Sequence, residues 1–297
     1  MPSIHIRIDI NTDWGIIMQI GFIGTGSMGT ILIEAFIQAR VLAPSHIHAA
    51  NRTFSKVKEL AQIYTGLHAY PTNIRVAQRA DVIFLCVKPL EFKQVVDEIA
   101  PFIHDRQLIV SITSPIQIEE LEQALEAKIA KIIPSITNSV GKGASLIIAG
   151  SRCTEEDKQY LQELMSGISR PVWIEEHWTR VSSDIASCGP AFLSFMLQEM
   201  IEGAVRKTGI SREQATTLTT NMIVGLGELF KQGKFTLQSL QERVCVPGGV
   251  TGAGLGVLEK ELSGVFDKLF QETHRKFDED RQQVIDMFSE YEAEELR

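Results

Sequence analysis

The first 172 residues alternate short apolar runs with stretches whose apolar residues recur at helical spacing. Each apolar run has the length of one buried strand, and stretches such as SKVKELAQIY and FKQVVDEIAPFI have the spacing of amphipathic helices. This alternation predicts an α/β fold with a doubly wound (Rossmann) parallel sheet, whose ligands bind beyond the carboxyl ends of the strands. The predicted strands are a run beginning at Gln19, the segment HIHAA, and residues 81–89, 107–113, 131–135 and 144–150.

The pattern changes after the segment PVWI at 171–174, because the remainder has helix-period apolar spacing and little strand alternation. We therefore predict an all-α C-terminal domain, with helices over 187–209 and 212–233 and a glycine-rich segment over 244–261. The predicted organisation is an extension over 1–17, a Rossmann domain over 18–172, a helical domain over 173–270 and an acidic helix or tail over 271–297.

The two ends of the chain each leave two interpretations open. In the extension, Ile4, Ile6, Ile8 and Ile10 alternate with polar residues, which is typical of a strand; alternatively, translation starts at Met18 and the extension has no function. The tail carries nine acidic and four basic residues. It is either a solvated helix docked on its own dimer or a surface for a protein partner, with four apolar residues near one helical face: Phe277, Val284, Phe288 and Tyr291.

Composition excludes several classes of function. The chain has 297 residues, 44% hydrophobic and 22% charged, and no apolar run of about 18 residues, so we expect a globular protein without membrane association. A net charge of −8 argues against nucleic-acid binding. The four cysteines form no CxxC pair and no secretory signal is evident, so we expect neither a zinc site nor disulfides, and a cytoplasmic location.

A glycine motif follows the first predicted strand and precedes a helical pattern. Gly24, Gly26 and Gly29 have the spacing Gly-x-Gly-x-x-Gly. The first glycine allows a tight turn, the second allows the backbone to approach a pyrophosphate, and the third allows close packing of helix and strand. The motif predicts a dinucleotide site, held by the loop residues Gly24, Thr25, Gly26, Ser27, Met28 and Gly29.

The end of the second strand indicates which dinucleotide is bound. An NAD site usually has Asp or Glu there, whereas this chain has Asn51, Arg52 and Thr53. The guanidinium of Arg52 suits a 2′-phosphate, so NADP(H) is favoured over NAD(H); the alternative is a solvated surface arginine. Val87, Lys88 and Pro89 follow a later strand and are expected beside the nicotinamide, although Lys88 is equally consistent with a surface lysine.

The late glycine-rich run has two interpretations, which are compatible. Pro247, Gly248 and Gly249 form a turn, and Val250 and Thr251 begin a helix of small residues. The amides at its start, with the Thr251 hydroxyl, would bind a small anion such as a carboxylate. Alternatively, the run allows a second helix to approach closely at Gly252, Ala253, Gly254 and Gly256.

Taken in order, the motifs IGFIGTGSMG, ANRT, CVKP, SCGPAF and VCVPGGVTGAGLGVLE resemble pyrroline-5-carboxylate reductases, from Met18 to about Phe270. The resemblance implies an NAD(P)H domain, a helical domain that forms a homodimer or higher homo-oligomer, and hydride transfer to the C=N bond of a small imine acid, 1-pyrroline-5-carboxylate. It also implies residue roles. The glycine loop would hold the pyrophosphate, Asn51 to Thr53 the 2′-phosphate, Asn73 the adenosine and Val87 to Pro89 the nicotinamide, while the substrate would be positioned by Cys188, Gly248, Gly249, Val250 and Thr251.

The chain also departs from that family's pattern. Val246 replaces a serine before the Pro-Gly-Gly turn, Cys188 replaces a small residue, and Lys234 falls at or near a glutamate that contacts the imine nitrogen. Ser135 replaces an asparagine after Pro134. In this respect the chain is similar to the branch typified by the ComER late competence proteins.

Three functional hypotheses follow. The first is an NAD(P)H-dependent reductase in which positioning, rather than an acid or base, promotes hydride transfer to an already electrophilic carbon. The second is a dinucleotide-binding regulatory protein that keeps the fold but reduces weakly or not at all. The third, a 3-hydroxyacid dehydrogenase, is disfavoured because no matching helix lysine is evident after residue 160. The histidines show no metal-ligand spacing.

Overall fold

The computed structural model describes residues 18–295, with side chains to residue 288, so the strand predicted within the N-terminal extension lies outside the described residues. It contains one eight-stranded sheet with strand order β3-β2-β1-β4-β5-β6-β7-β8. The strands are β1 (Ile20–Ile23), β2 (Ile47–Ala50), β3 (His68–Tyr70), β4 (Val82–Leu85), β5 (Leu108–Ser111), β6 (Lys128–Ile133), β7 (Ala144–Ala149) and β8 (Arg170–Trp173).

The predicted doubly wound α/β fold is confirmed, with one antiparallel pairing. Every neighbouring pair of strands is parallel except β6 with β7. A parallel crossover needs about a dozen residues or more. The link from Ile133 to Ala144 is shorter and folds as a 3-10 turn, Ile136–Val140, followed by Gly141 and Gly143 at positive φ. The chain therefore reverses direction there.

Twelve α-helices accompany the sheet in the described residues. Those up to residue 188 are α1 (Ser27–Gln38), α2 (Phe54–Ile63), α3 (Asn73–Ala77), α4 (Phe92–Ile99), α5 (Ile118–Ala124), α6 (Glu155–Ser166) and α7 (Thr179–Ser183). The later ones are α8 (Gly189–Thr208), α9 (Arg212–Lys231), α10 (Leu237–Val244), α11 (Val250–Glu261) and α12 (Val265–Glu295). The helical C-terminal region agrees with the prediction.

The chain divides into two compact units. The sheet unit comprises residues up to Cys188 together with Thr273 onward, and the helical unit comprises Gly189–Glu272. The predicted domain boundary at 172/173 lies before this division, because α7 and the π-helical turn Asp184–Cys188 belong to the sheet unit. Two apolar clusters form the core of the sheet unit, one of them around the stacked rings of Phe22 and Phe84, 5.1 Å apart.

The acidic C-terminal segment is a helix that packs on its own sheet unit. Val284 is fully buried in one of the two core clusters, with Met287 and Phe288 packed against it. Arg281 donates to Glu120 at 2.8 Å and to the carbonyl of Pro115 at 2.7 Å. The apolar face of α12 predicted from its spacing therefore covers the core of the same chain rather than a partner protein. Tyr291 lies outside the described side chains.

Candidate functional site

The glycine-rich turn after β1 is built so that two of its glycines have no room for a side chain. Gly24 has a φ of +99°, and a Cβ on it would lie 2.6 Å from the carbonyl oxygen of Cys86. A Cβ on Gly29 would lie 2.2 Å from the carbonyl oxygen of Gly24. Apart from the residues on either side of it in the chain, no described residue has an atom within 4 Å of the Cβ position of Gly26, so a side chain is excluded there only if a ligand approaches.

The start of α1 offers donors that the protein itself leaves open. The first N–H groups of a helix have no intrahelical partner, and the N-cap Gly26 has no side chain to accept from them. The Thr25 amide donates to Asn51 Oδ1 at 3.0 Å, whereas the buried Thr25 hydroxyl has no hydrogen-bond partner among the described residues. Open amides and an unpaired hydroxyl at a positive helix end fit a phosphate group.

The segment after β2 forms one wall of the same site. The Asn51 side chain bridges two turns, because it accepts from Thr25 and donates to the carbonyl of Thr53 at 3.1 Å. Arg52 projects outward with 86% of its side chain exposed, and its guanidinium donates to Glu91 Oε1 at 2.7 Å. Asn51 is therefore held by the protein, whereas Arg52 is free to move apart from one exposed ion pair.

These elements enclose a groove of about 450 Å³ at the carboxyl ends of β1, β2 and β4. Among the predicted cofactor residues, the lining includes Gly24, Gly26, Asn51, Arg52, Thr53, Asn73, Val87 and Lys88. The others lie beside the groove without lining it: Thr25 and Gly29 are buried, Ser27 is exposed, and Met28 and Pro89 are half-buried.

The groove also contains side chains that the sequence motifs do not mark: Lys56, Pro71, Thr72, Glu91, Gln94, Val95 and Glu98. Glu98 accepts from the Asn73 amide at 2.7 Å and so orients that side chain. Glu91, Gln94 and Glu98 are spaced i, i+3 and i+7, which places them on one side of α4 and the turn before it. That periodicity after the CVKP segment is a signal by which they could have been found.

The segment after β4 contributes Cys86, Val87 and Lys88 to the groove. The Thr113 hydroxyl donates to the carbonyl of Val87 at 3.2 Å, which fixes the turn. Lys88 is exposed, and Cys86 lies beneath the glycine loop, where burial raises the pKa of its thiol. A thiol held protonated in this way is a packing residue rather than a nucleophile.

The late glycine loop lies in the helical unit and forms a tight turn. The Gly249 amide donates to the carbonyl of Val246 at 2.9 Å, and Gly248 has a φ of +72°. Helix α11 then starts with no side-chain cap, and Val250 is 91% exposed. The open donors at this helix end are therefore the amides of Val250, Thr251 and Gly252, whereas the amide of Gly249 is already used.

Cys188 lies in the sheet unit, at the end of its π-helical turn. The Arg180 guanidinium donates to Cys188 Sγ at 3.4 Å and to the buried Asp184 carboxylate at 2.8 Å. Thr273 donates to the second oxygen of Asp184 at 2.7 Å. The predicted positioning residue Cys188 is thus one of several groups ordered around Arg180 rather than an isolated thiol.

Neither a metal centre nor a membrane span is found in the part of the chain that the structure describes. Among the side chains that are described, those of residues 18–288, no group of three or more His, Cys, Asp or Glu could hold a metal ion. No helix among residues 18–295 is long and apolar enough to cross a membrane.

Comparison with known proteins assigns the family. Residues 176–280 match the family described as pyrroline-5-carboxylate reductase dimerisation, and residues 19–115 match that described as NADP oxidoreductase coenzyme F420-dependent. Pyrroline-5-carboxylate reductase 3 of Bacillus subtilis is 30% identical over 88% of this chain and 96% of its own length. The chain belongs to the pyrroline-5-carboxylate reductase family. The resemblance found in its motifs is confirmed.

Within this family the chain has a relative with higher identity. ComE operon protein 4 of Bacillus subtilis is 42% identical over 91% of this chain and 99% of its own length. Pyrroline carboxylate reductase of Plasmodium falciparum, solved with NADP bound, has a TM-score of 0.74 and 25% identity over 91% of this chain and 98% of its own. The Coxiella burnetii pyrroline-5-carboxylate reductase structure shows the same fold, with a TM-score of 0.78 at 24% identity over 91% and 98% of the two chains.

Two of the four positions at which the chain departs from the motifs of pyrroline-5-carboxylate reductases are accessible, whereas Ser135 is buried and Cys188 is half-buried. Val246 is 61% exposed at the start of the late turn, and Lys234 is exposed in the link between α9 and α10. Neither side chain is needed to fill the core of its unit. Replacing Val246 by serine or Lys234 by glutamate should therefore have little effect on folding.

Proposed function

We propose that this protein is an NADP(H)-dependent reductase of the pyrroline-5-carboxylate reductase type, acting on the C=N bond of 1-pyrroline-5-carboxylate or a related imine acid. The observation that carries the proposal is the glycine turn, in which the backbone excludes side chains at Gly24 and Gly29 and leaves Gly26 open. The unpaired hydroxyl of Thr25 adds a donor to the same turn. The relatives named as pyrroline-5-carboxylate reductases support the reaction type.

In this proposal the sheet unit holds the cofactor. The turn from Gly24 to Gly29 would bind the pyrophosphate, and Arg52 with Asn51 and Thr53 would bind a 2′-phosphate. Asn73, oriented by Glu98, would contact the adenosine. A bound reduced nicotinamide dinucleotide supplies the hydride; the protein's part is to hold the two reacting groups close together and exclude water.

The helical unit would hold the acid. Val250, Thr251 and Gly252 present the open amides at the start of α11, where a carboxylate is stabilised by the helix end. The Gly249 amide would not donate to the acid, since it bonds the carbonyl of Val246, and Gly248 at positive φ would shape the turn. This refines the predicted substrate loop, in which Gly248, Gly249, Val250 and Thr251 were expected to act alike.

We also propose that the protein acts as a homodimer or higher homo-oligomer. Among its described residues the helical unit buries only Ala215 and Thr219. Large apolar side chains on α8 and α9 stay exposed in the single chain, including Phe195 at 65% and Leu218 at 63%. Such a surface is typical of an interface between copies, and the matched family description names dimerisation.

The test is a steady-state assay of the purified protein with NADPH and 1-pyrroline-5-carboxylate, followed by other cyclic imine acids. We expect measurable turnover on at least one of them. Binding of NADPH is measured in parallel by thermal shift, because a ligand of the folded state raises the unfolding temperature. A turnover no higher than background on every imine acid would contradict the proposed reductase activity.

A second candidate function is a dinucleotide-binding protein that reduces no imine acid. Higher identity to ComE operon protein 4 than to pyrroline-5-carboxylate reductase 3 of the same organism favours it. So do Val246 and Lys234, which replace a hydrogen-bonding residue and a carboxylate of the family pattern. Stabilisation by NADPH without any turnover would identify this function.

Restoring the family residues separates the two candidates further. A lost hydrogen bond to a charged group is worth about 1.5–3 kcal/mol, or roughly one to two orders of magnitude in rate. We therefore expect V246S to raise kcat/KM on 1-pyrroline-5-carboxylate about tenfold or more. Val172→Ser, which changes an exposed valine on β8 of the sheet unit outside the groove lining, serves as the matched control. Equal activity of V246S and the original protein would show that Val246 does not limit the reaction.

A further inference from the structure

A carboxylate lies in the groove where the dinucleotide's adenosine ribose would be recognised. Glu91 Oε1 accepts from the Arg52 guanidinium at 2.7 Å, and both residues line the same groove. Strand β2 is followed by Asn51 rather than by the acidic residue that usually marks an NAD site. The acidic group thus comes from another part of the chain, the turn Pro89–Glu91 after β4.

The two members of this ion pair differ in freedom. Glu91 is tethered closely, because its amide donates to the Lys88 carbonyl at 2.9 Å and the next residue, Phe92, is fully buried. Its side chain is 33% exposed, whereas that of Arg52 is 86% exposed. Glu91 is therefore the fixed member, and the long side chain of Arg52 turns toward it.

We propose that Glu91 sets the cofactor selectivity of this protein by holding the Arg52 guanidinium and lowering the preference for NADP(H) over NAD(H). The inference rests on the proposed dinucleotide site. A 2′-phosphate carries close to two negative charges at neutral pH and must share Arg52 with the Glu91 carboxylate beside it. The 2′-hydroxyl of NAD(H) brings no charge and is able to donate to a carboxylate.

The other charged residues of the groove indicate that Glu91 weakens the preference for NADPH without abolishing NADPH binding. Its lining contains three cations, Arg52, Lys56 and Lys88, and two carboxylates, Glu91 and Glu98. Lys56 gives a 2′-phosphate a second cationic neighbour in the groove. Glu98 is engaged with Asn73, so Glu91 is the carboxylate placed against Arg52. We therefore expect a protein that binds both dinucleotides, with its NADPH preference held down by Glu91.

The experiment measures dissociation constants of NADPH and NADH by titration calorimetry for the full-length protein and four variants. These are Glu91→Gln, Arg52→Gln, the double variant, and Glu155→Gln as the matched control. Glu155 forms an exposed ion pair of similar length, 2.6 Å to Lys158, on α6 and outside the groove lining. Glu91→Gln removes the charge while keeping the shape of the side chain.

We expect Glu91→Gln to raise the NADPH:NADH affinity ratio roughly fivefold to tenfold, because the Arg52 guanidinium is then released from its carboxylate partner to bind the 2′-phosphate. Glu155→Gln should leave the ratio within about twofold of its original value. In the Arg52→Gln background the gain from Glu91→Gln should fall below about twofold, since no guanidinium is then contested.

Two results would overturn the inference while leaving the dinucleotide site intact. One is an unchanged ratio in Glu91→Gln, and the other is an equal gain with and without Arg52, which would mean that the carboxylate acts without holding the guanidinium. If the original protein binds neither NADPH nor NADH, the proposed function itself fails, and this inference fails with it.

Discussion

Single backbone atoms decide what the glycine turn tolerates. The carbonyl oxygen of Gly24 occupies the place where a side chain of Gly29 would begin, 2.2 Å from the Cβ position. Because that oxygen belongs to the backbone, it cannot move aside as a flexible side chain would. For Gly26 in the same turn, no described residue other than its chain neighbours has an atom within 4 Å of the Cβ position, so its lack of a side chain matters to a ligand and not to the fold.

We predict that Gly29→Ala and Gly26→Ala separate stability from binding. Gly29→Ala should lower the free energy of unfolding by roughly 1–3 kcal/mol, as overpacking usually does. Gly26→Ala should lower it by less than about 1 kcal/mol but weaken NADPH binding, because its methyl group would face the pyrophosphate. Urea denaturation of the free protein and calorimetric titration with NADPH provide the two measurements. Equal stability loss in both variants would contradict the geometry of the turn.

A buried histidine at the edge of the sheet unit makes stability depend on pH. His48 is 5% exposed, stacks on His68 at 4.8 Å, and is hydrogen-bonded to Gln19 Oε1 at 2.9 Å and the Tyr70 hydroxyl at 3.1 Å. Burial, with smaller contributions from the positive charges of His68, Arg79 and His46, lowers the pKa of His48 to about 4. The folded protein therefore keeps this ring neutral at pH values where the unfolded chain protonates it.

The sign of the effect follows from proton binding. Between pH 6.5 and about 4 the unfolded state binds more protons at this position, so stability is full above pH 6.5 and falls as the pH is lowered. The loss attributable to His48 reaches at most about 3 kcal/mol. We expect H48Q to flatten the decline of unfolding free energy between pH 6.5 and 4.5, measured in urea, whereas H177Q at an exposed histidine should not. A slope unchanged in H48Q would refute this role.

At this scale the sequence predicts what depends on neighbours along the chain. The spacing of Gly24, Gly26 and Gly29 is a local requirement of one turn, so it can be recognised from the sequence alone. Glu91 carries no such mark, because its partner Arg52 is brought to it only by the folding of β2 and β4 into one sheet. The same holds for Glu98 against Asn73.

At the scale of secondary structure, the pattern predicts periodicity but not what each face covers. Six of the eight strands are evident as apolar runs. The other two, β3 (HAY) and β8 (RPVW), contain no fully buried residue and were not predicted. Helix α12 shows an amphipathic spacing near its end, yet spacing alone does not distinguish a partner protein from the core of its own chain. The antiparallel pairing of β6 with β7 is indicated in the sequence only by the short length of the link between them and by its turn residues.

Docking of α12 on the sheet unit is testable at one residue. Val284 is fully buried in the core cluster, so V284A should lower the unfolding free energy by roughly 1–3 kcal/mol. Gln283 is exposed on the same helix, and Q283A should change stability by no more than about 0.5 kcal/mol. Chemical denaturation gives both values. If V284A were as stable as Q283A, this helix would not be part of the core.

The whole molecule combines two units that differ in how they are stabilised. The sheet unit has two extensive buried clusters, whereas the helical unit buries only Ala215 and Thr219 among its described residues. Helices in proteins owe most of their stability to packing of an apolar face. Large apolar side chains exposed on α8, α9 and α11 therefore need a surface to cover them, and in the proposed oligomer a second copy of the chain would provide it.

The oligomeric state tests this directly, because the apolar side chains of the helical unit are accessible to substitution. A glutamate at Phe195 or Leu218 places a charge where the proposed interface would exclude water, so F195E and L218E should convert the dimer or larger assembly to monomer or to poorly folded protein. Ile63→Glu is the matched control, since Ile63 is 67% exposed on α2 of the sheet unit. Light scattering after size exclusion measures the mass of each variant.

Because folding and association are linked, the unfolding temperature of the original protein should also rise with its concentration. A monomeric original protein, or variants that assemble as it does, would mean that something other than a second copy covers these helices.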